Sequence, residues 1–159
     1  MPGSESRLLV PAEALGRLCA GAGEDSVKDF GRGFGTEIGR RVAARLGDPV
    51  SVQAMVEHLG GELALAGFGS LGIEVWGRAL VLTVADCPLG EGGDALVAAV
   101  LEGALQRAVA RDAAVVRIER SNGKARLAVL RPSTAASVKR WLAEGVSWGD
   151  ALARLSSTR

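Results

Sequence analysis

The chain has 159 residues, of which 48% are hydrophobic and 23% charged, and its formal net charge is +1 at pH 7. This composition is typical of a globular protein and argues against disorder, and the length fits one domain. The small net charge gives no field that would attract nucleic acid or an anionic membrane. No apolar run approaches the roughly 20 residues that span a bilayer, and the N-terminus lacks a signal-peptide pattern, so a cytoplasmic protein is expected.

The first third of the chain predicts three helices. Residues 11–20 form the first, and residues 25–46 form a longer one with apolar side chains at three- and four-residue spacing. The segment 47–49, Gly-Asp-Pro, ends this second helix. Ser51 is expected to cap a third helix that ends near Gly67.

Two hairpins follow, with a helix between them. Alternating apolar residues predict four strands, at 71–75, 80–84, 115–120 and 125–130. The last two strands flank Asn122-Gly123, which is the strongest short signal for a hairpin turn. Asp94 is expected to cap the intervening helix, whose broad apolar face extends to Ala108.

The C-terminal part predicts two short helices. Pro132 opens one that ends at Gly145, and Ser147 begins the last, with an acidic residue at the capping-box position. The break before Pro132 divides the chain into a domain of residues 1–131 and a helical extension of residues 132–159.

The predicted fold is α/β of the α+β kind. The order of elements is three helices, a hairpin, a helix, a second hairpin and the two short helices. Because hairpins alone are marginal in water, we expect the two to join into one four-stranded antiparallel sheet with helices packed on one face.

Three short strings occur in order along this pattern: residues 33–41 (GFGTEIGRR), 86–89 (DCPL) and 100–105 (VLEGAL). Together with the order of elements, they resemble the subunits of the transport protein particle (TRAPP) and the related bacterial 4-vinyl reductase domain. The resemblance covers residues 15–130. It implies an α/β fold, pairing through helices and no common enzymatic activity. Some members hold an acyl chain or another apolar ligand in a tunnel, and others are assembly or GTPase-regulator subunits.

The chain departs from this family at two places. One TRAPP branch carries an acylated cysteine before the third helix, but residues 47–51 here are Gly-Asp-Pro-Val-Ser. The 4-vinyl reductase branch often has cysteines in its last hairpin, and residues 115–130 contain none. Covalent acylation and a metal site of those kinds are therefore excluded, and no cofactor or metal is expected.

Small residues recur every four positions in the second helix, at Gly31, Gly35, Gly39 and Ala43. A nucleotide-binding loop is disfavoured, because no strand precedes the glycines and Thr36 occupies the sixth position of the fingerprint. Each helical glycine costs about 1 kcal/mol relative to alanine, so close packing must offset the cost. The strip therefore predicts a helix contact, either within the fold or across a dimer.

Aromatic residues concentrate in the C-terminal extension, which has two of the three tryptophans. Trp141, Leu142, Trp148 and Leu152 form a candidate partner-binding patch, since aromatic anchors are enriched at interfaces. The alternative is that these helices fold back and cover the sheet.

No set of residues suggests catalysis. His58 is the only histidine and is expected at the flank of a helix, and Cys19 and Cys87 are expected to be small buried hydrophobes. Arg40 and Arg41 belong to a basic face that is expected to be solvated. Without a nucleophile–base pair, paired carboxylates or a metal cluster, the chain is not expected to be an enzyme.

Two functions stay open at this point. The first is an adaptor or scaffold subunit, a homodimer that displays a surface to another protein. The alternative is a sensor or carrier that holds a small apolar ligand, an acyl chain or a hydrocarbon, between helices and sheet. The sequence leaves open which partner or ligand is bound and whether a GTPase is involved.

Overall fold

The computed structural model describes residues 7–157, which contain six α-helices and four strands. The helices are α1 (Ala12–Gly21), α2 (Glu24–Ala43), α3 (Val52–Leu65), α4 (Asp94–Val109), α5 (Pro132–Ala143) and α6 (Trp148–Ser157). The strands are β1 (Ser70–Trp76), β2 (Ala79–Ala85), β3 (Ala114–Ser121) and β4 (Lys124–Leu130). The predicted α+β class and order of elements are confirmed, although α2 ends at Ala43 rather than at Leu46.

The two hairpins join into one antiparallel sheet, as predicted. Its strand order is β1-β2-β4-β3, so β2 and β4 are central and β1 and β3 are the edges. Asn122 and Gly123 both have positive φ, 51° and 73°, as the two-residue turn with an Asn-Gly sequence requires. The outer edge of β1 lies beside α3, and this position matters for the candidate site.

Helices cover both faces of the sheet, so the expectation that they pack on one face is wrong. Leu82 and Leu127 pack with α2, α3 and α4, whereas Val81 and Ala128 pack with α5 and α6. All four side chains are 0% exposed. The central strands carry apolar residues on both of their faces, and such strands need a layer of helices on each side.

Local signals at the helix ends are largely confirmed. The Ser51 side chain accepts a hydrogen bond from the backbone N–H of Ala54 at 3.3 Å, and Ser147 accepts one from Asp150 at 3.2 Å. Gly67, with φ of 84°, ends α3 and brings the next residue into a 3.0 Å hydrogen bond with the carbonyl of Leu63. This is a Schellman ending, which glycine favours.

The prediction that Asp94 caps α4 is wrong. Asp94 is the first residue of the helix, follows Gly93, and makes no cap. Its buried carboxylate instead accepts hydrogen bonds from Arg117 at 3.2 Å and from Arg120 at 2.8 Å. Both arginines extend from β3, so these ion pairs fix the start of α4 to that edge strand.

Candidate binding surfaces

The glycine strip lies against α4 of the same chain. A Cβ atom added at Gly31 would lie 2.6 Å from the Cβ of Ala99, and one at Gly39 would lie 2.5 Å from the carbonyl oxygen of Ala104. One at Gly35 would overlap the carbonyl group of Val100. The two helices therefore touch backbone to backbone, which is one of the two arrangements that the spacing predicts.

The end of the strip and the opposing helix complete this contact. Ala43 is half-buried at the end of α2. On α4, a Cβ at Gly103 would lie 2.9 Å from the carbonyl carbon of Arg32, so glycine is needed on both helices. Sequence reasoning missed Gly103, because it stands alone in its helix and shows no spacing pattern.

The C-terminal patch faces the sheet. The ring of Trp148 packs edge-on against Trp76 of β1, with centroids 4.9 Å apart, and Leu152 is 3% exposed. Trp141 and Leu142 are half-buried and pack against the same apolar cluster. The four predicted residues are thus together on the second face of the sheet. A partner-binding role for them stays a prediction.

An ion-pair network borders this patch on the same face of the sheet. Arg126 donates hydrogen bonds to Glu74 at 3.0 Å and to Glu119 at 2.6 Å. The pKa of Glu74 is lowered by hydrogen bonds from Arg126 and Trp76. The pKa of Glu119 is lowered first by a hydrogen bond from Ser121 and then by Arg126. The network ties β1, β3 and β4 together beneath α6.

An open groove of about 850 Å³ runs between α3 and the edge strand β1. Its lining residues come from those two elements and the turn between them: Val52, Gln53, Val56, Glu57, Gly60, Ala64, Gly69, Ser70, Leu71, Gly72 and Ile73. Most of the lining is apolar or small, and Glu57 is its one charged residue. This groove is the strongest candidate site in the described part of the chain.

Small residues keep the groove open. A Cβ added at Gly60 would make ordinary van der Waals contact, 3.5 Å from the Cβ of Leu71, so a larger side chain at this position would extend into the space between helix and strand. On β1, Ile73 is 41% exposed and Val75 is 71% exposed. Sequence reasoning placed the alternative ligand between helices and sheet but singled out none of these lining residues, because the groove is a space between two elements.

A second exposed apolar surface lies on α2. Phe30 and Phe34 are 51% and 37% exposed, and their ring centroids are 6.2 Å apart. Phe34 packs edge-on against the buried Phe68, with centroids 5.7 Å apart. Phe34 therefore contacts the core through Phe68, while both rings on α2 stay partly exposed.

Part of the basic face of α2 is structural rather than solvated. Arg41 donates to Glu62 at 2.7 Å and Arg45 donates to it at 3.0 Å. The Glu62 side chain is only 2% exposed, so the two guanidinium groups satisfy a carboxylate that is otherwise shut off from water. The trio fixes α2 to α3 and so helps to hold α3 beside the groove.

The single residues considered for chemistry lie on different elements: Cys19 on α1, His58 on α3 and Cys87 in the loop after β2. His58 is half-buried on α3, and Cys19 and Cys87 are free thiols. Burial raises the pKa of the Cys87 thiol, and the nearby Asp94 carboxylate adds to the rise. A raised pKa disfavours the thiolate, which is the nucleophilic form. The geometry therefore gives Cys87 no activation for covalent chemistry.

Residues 7–157 contain neither a metal-binding cluster nor a membrane-spanning helix. No group of three or more histidine, cysteine or acidic side chains is placed to hold a metal ion there. In the same residues, no helix has both the length and the apolar character needed to cross a bilayer.

No family model and no curated protein matches the chain. The resemblance to TRAPP subunits therefore depends on the three strings and on the order of elements, and family membership stays a prediction.

Proposed function

We propose that the protein is a non-catalytic binding module of the TRAPP and 4-vinyl reductase type that acts as an adaptor or scaffold subunit in the cytoplasm. It forms a homodimer and displays a surface to another protein. The α+β architecture and the order of its elements support this proposal. The raised pKa of the Cys87 thiol, which disfavours the nucleophilic thiolate, supports a role in binding rather than catalysis.

The groove along β1 is the observation that carries the proposal. An edge strand offers a row of backbone donors and acceptors to a further strand, and natural proteins usually block such an edge with charge, proline or a covering element. Here the groove beside β1 is apolar and open, and Ile73 and Val75 add exposed apolar area. An extended polypeptide satisfies both features, since its backbone pairs with the strand and its side chains enter the groove.

The aromatic pair on α2 is the surface that the adaptor displays. Phe30 and Phe34 project from a helix that packs closely against α4 through its glycine strip. Exposed aromatic residues on a rigid helix are typical anchors for another protein.

The alternative function, a carrier or sensor of a small apolar ligand, is favoured by the lining of the same groove. Its volume of about 850 Å³ lies in the range of small-molecule sites, about 300–1,000 Å³. Such sites usually enclose most of the ligand surface, whereas this groove is open along one side. The openness favours a polypeptide, and the apolar lining keeps the acyl chain or hydrocarbon as the second candidate.

Native mass spectrometry combined with organic extraction separates the two functions. An adaptor is expected to give a dimer mass without a bound compound, and a stoichiometric apolar compound in the extract would instead establish the carrier. Gly60→Leu, which fills the groove, removes such a compound if the groove holds it. Gly61→Leu is the matched control, because a side chain there meets nothing within 4 Å and lies outside the groove lining.

A further inference from the structure

The segment before α1 is an exposed apolar arm. We define the arm as residues 7–10, Arg-Leu-Leu-Val, which have no regular secondary structure. Leu8 is 86% exposed, Leu9 is 96% exposed and Val10 is 52% exposed. Three consecutive apolar residues at such exposure are unfavourable unless they meet a partner.

The arm does not occupy the groove of its own chain. None of the residues that line the groove belongs to the arm, and Leu9 is almost fully exposed to solvent. Within residues 7–157, one chain therefore leaves exposed both the apolar side chains of residues 8–10 and the outer edge of β1.

We propose that the arm of one copy adds to β1 of a second copy as an extra strand, and that the second copy returns the contact. Reciprocal exchange uses the same two surfaces on both copies and so closes a twofold dimer. The inference rests on the proposed role of the groove as a site for an extended polypeptide, and it names that polypeptide as the chain's own arm.

Length and side-chain alternation fit this pairing. Four extended residues span about 13 Å and the seven residues of β1 span roughly 23 Å, so the arm covers over half of the edge. Alternate side chains of an added strand point to opposite faces. Leu9 enters the groove on the α3 side, and Leu8 and Val10 lie on the other face, where Trp76 is 43% exposed.

Opposite charges on the arm and on the groove favour the same arrangement. Arg7 shares the face of Leu9, since the two are separated by one residue. Glu57 is the one charged residue in the groove lining and carries the opposite sign. Arg7 of one copy therefore approaches Glu57 of the other, while the leucine fills the apolar part of the groove.

Sedimentation analysis of the full chain tests the proposal. The wild type is expected to give twice the 16.3 kDa chain mass. The double variant Leu8→Asp, Leu9→Asp is expected to raise the dimer dissociation constant by about a hundredfold or more, because two leucine side chains lose their apolar burial. Leu18→Asp is the control, since Leu18 is 67% exposed but lies on α1, outside the arm and the groove.

The matched groove variants test the other half of the contact. Gly60→Leu is expected to give monomer and Gly61→Leu to give the wild-type mass. Should Gly60→Leu fail to fold, Ala64→Leu fills the same groove from an exposed position. A wild-type chain that is monomeric at every concentration, or an arm variant with the wild-type dissociation constant, would overturn the proposal.

A mixing experiment shows whether the contact is between copies. The arm variant keeps an intact groove and Gly60→Leu keeps an intact arm, so an equimolar mixture restores one arm–groove contact. The mixture is expected to contain more dimer than either variant alone, and an unchanged mass would contradict exchange between copies.

Peptide binding separates a groove that binds another polypeptide from a groove that binds the arm. If the arm variant stays dimeric while the wild type, but not Gly60→Leu, binds a synthetic peptide of alternating apolar residues, the groove function stands and the arm is refuted as its occupant. If the peptide binds both proteins equally, the proposed role of the groove is refuted as well.

Discussion

A single methyl group at Gly35 tests the close contact between α2 and α4. In Gly35→Ala, the new Cβ would lie 2.8 Å from the carbonyl carbon of Val100 and 2.9 Å from the backbone nitrogen of Ala104. These are backbone atoms of a helix, so no side chain can swing aside to make room. Overpacking of this kind typically costs about 1–3 kcal/mol, and rigid neighbours favour the upper end.

The higher helix propensity of alanine offsets part of this overpacking cost. Replacing a helical glycine by alanine gains about 1 kcal/mol where space allows. Subtracting this gain from a cost of about 3 kcal/mol leaves a net destabilisation of about 2 kcal/mol. For a domain of this size, that corresponds to a fall in Tm of roughly 4–8 °C.

Gly33→Ala is the matched control on the same helix. Gly33 is exposed and an added Cβ meets nothing within 4 Å, so only the propensity gain applies. Urea unfolding followed by circular dichroism should show a higher midpoint for Gly33→Ala and a lower one for Gly35→Ala, with the same slope. Equal or greater stability of Gly35→Ala than of wild type would refute the close-contact argument.

Three further predictions concern other parts of the chain. His58→Ala should change the free energy of unfolding by no more than about 0.5 kcal/mol. If the variant lost a catalytic activity that the wild type shows, His58 would belong to an active site. Truncation after Arg131 should abolish cooperative unfolding, because it uncovers the second apolar face of the sheet; a normally melting fragment would instead support an independent domain of residues 1–131. In Arg126→Met, the free energy of unfolding should fall less at acid pH than it does in the wild type. The pKa of Glu74 is lowered in the fold, so the ionised carboxylate stabilises the protein above its ordinary pKa of 4.5. This stabilisation is lost as the pH falls through the lowered pKa.

The parts of the fold that sequence reasoning predicted are those set by local chemistry. Asn122-Gly123 can adopt the two positive φ angles of a tight hairpin, and Ser51 caps the helix that follows it. The spacing of Gly31, Gly35 and Gly39 predicted a close helix contact, and the structure supplies α4 as the neighbour. Each of these signals lies within one element.

The features that were mispredicted or missed depend on contacts between distant segments. Asp94 has the residue type and position of a cap, but Arg117 and Arg120 approach it from β3 and bind its carboxylate. The placement of α5 and α6 depends on which face of the sheet the earlier helices leave open. The groove is likewise a product of how α3 lies against β1, and Gly60 by itself gives no sign of it.

Hydrogen exchange of β1 measures most directly whether the groove is a polypeptide-binding site. In the dimer, an added strand should accept hydrogen bonds from the outward amides of residues 70–76, so these amides should exchange more slowly as protein concentration rises. Gly60→Leu should remove this concentration-dependent protection, and Gly61→Leu should keep it. Amides of β1 that exchange equally fast in wild type and Gly60→Leu at every concentration would contradict the account.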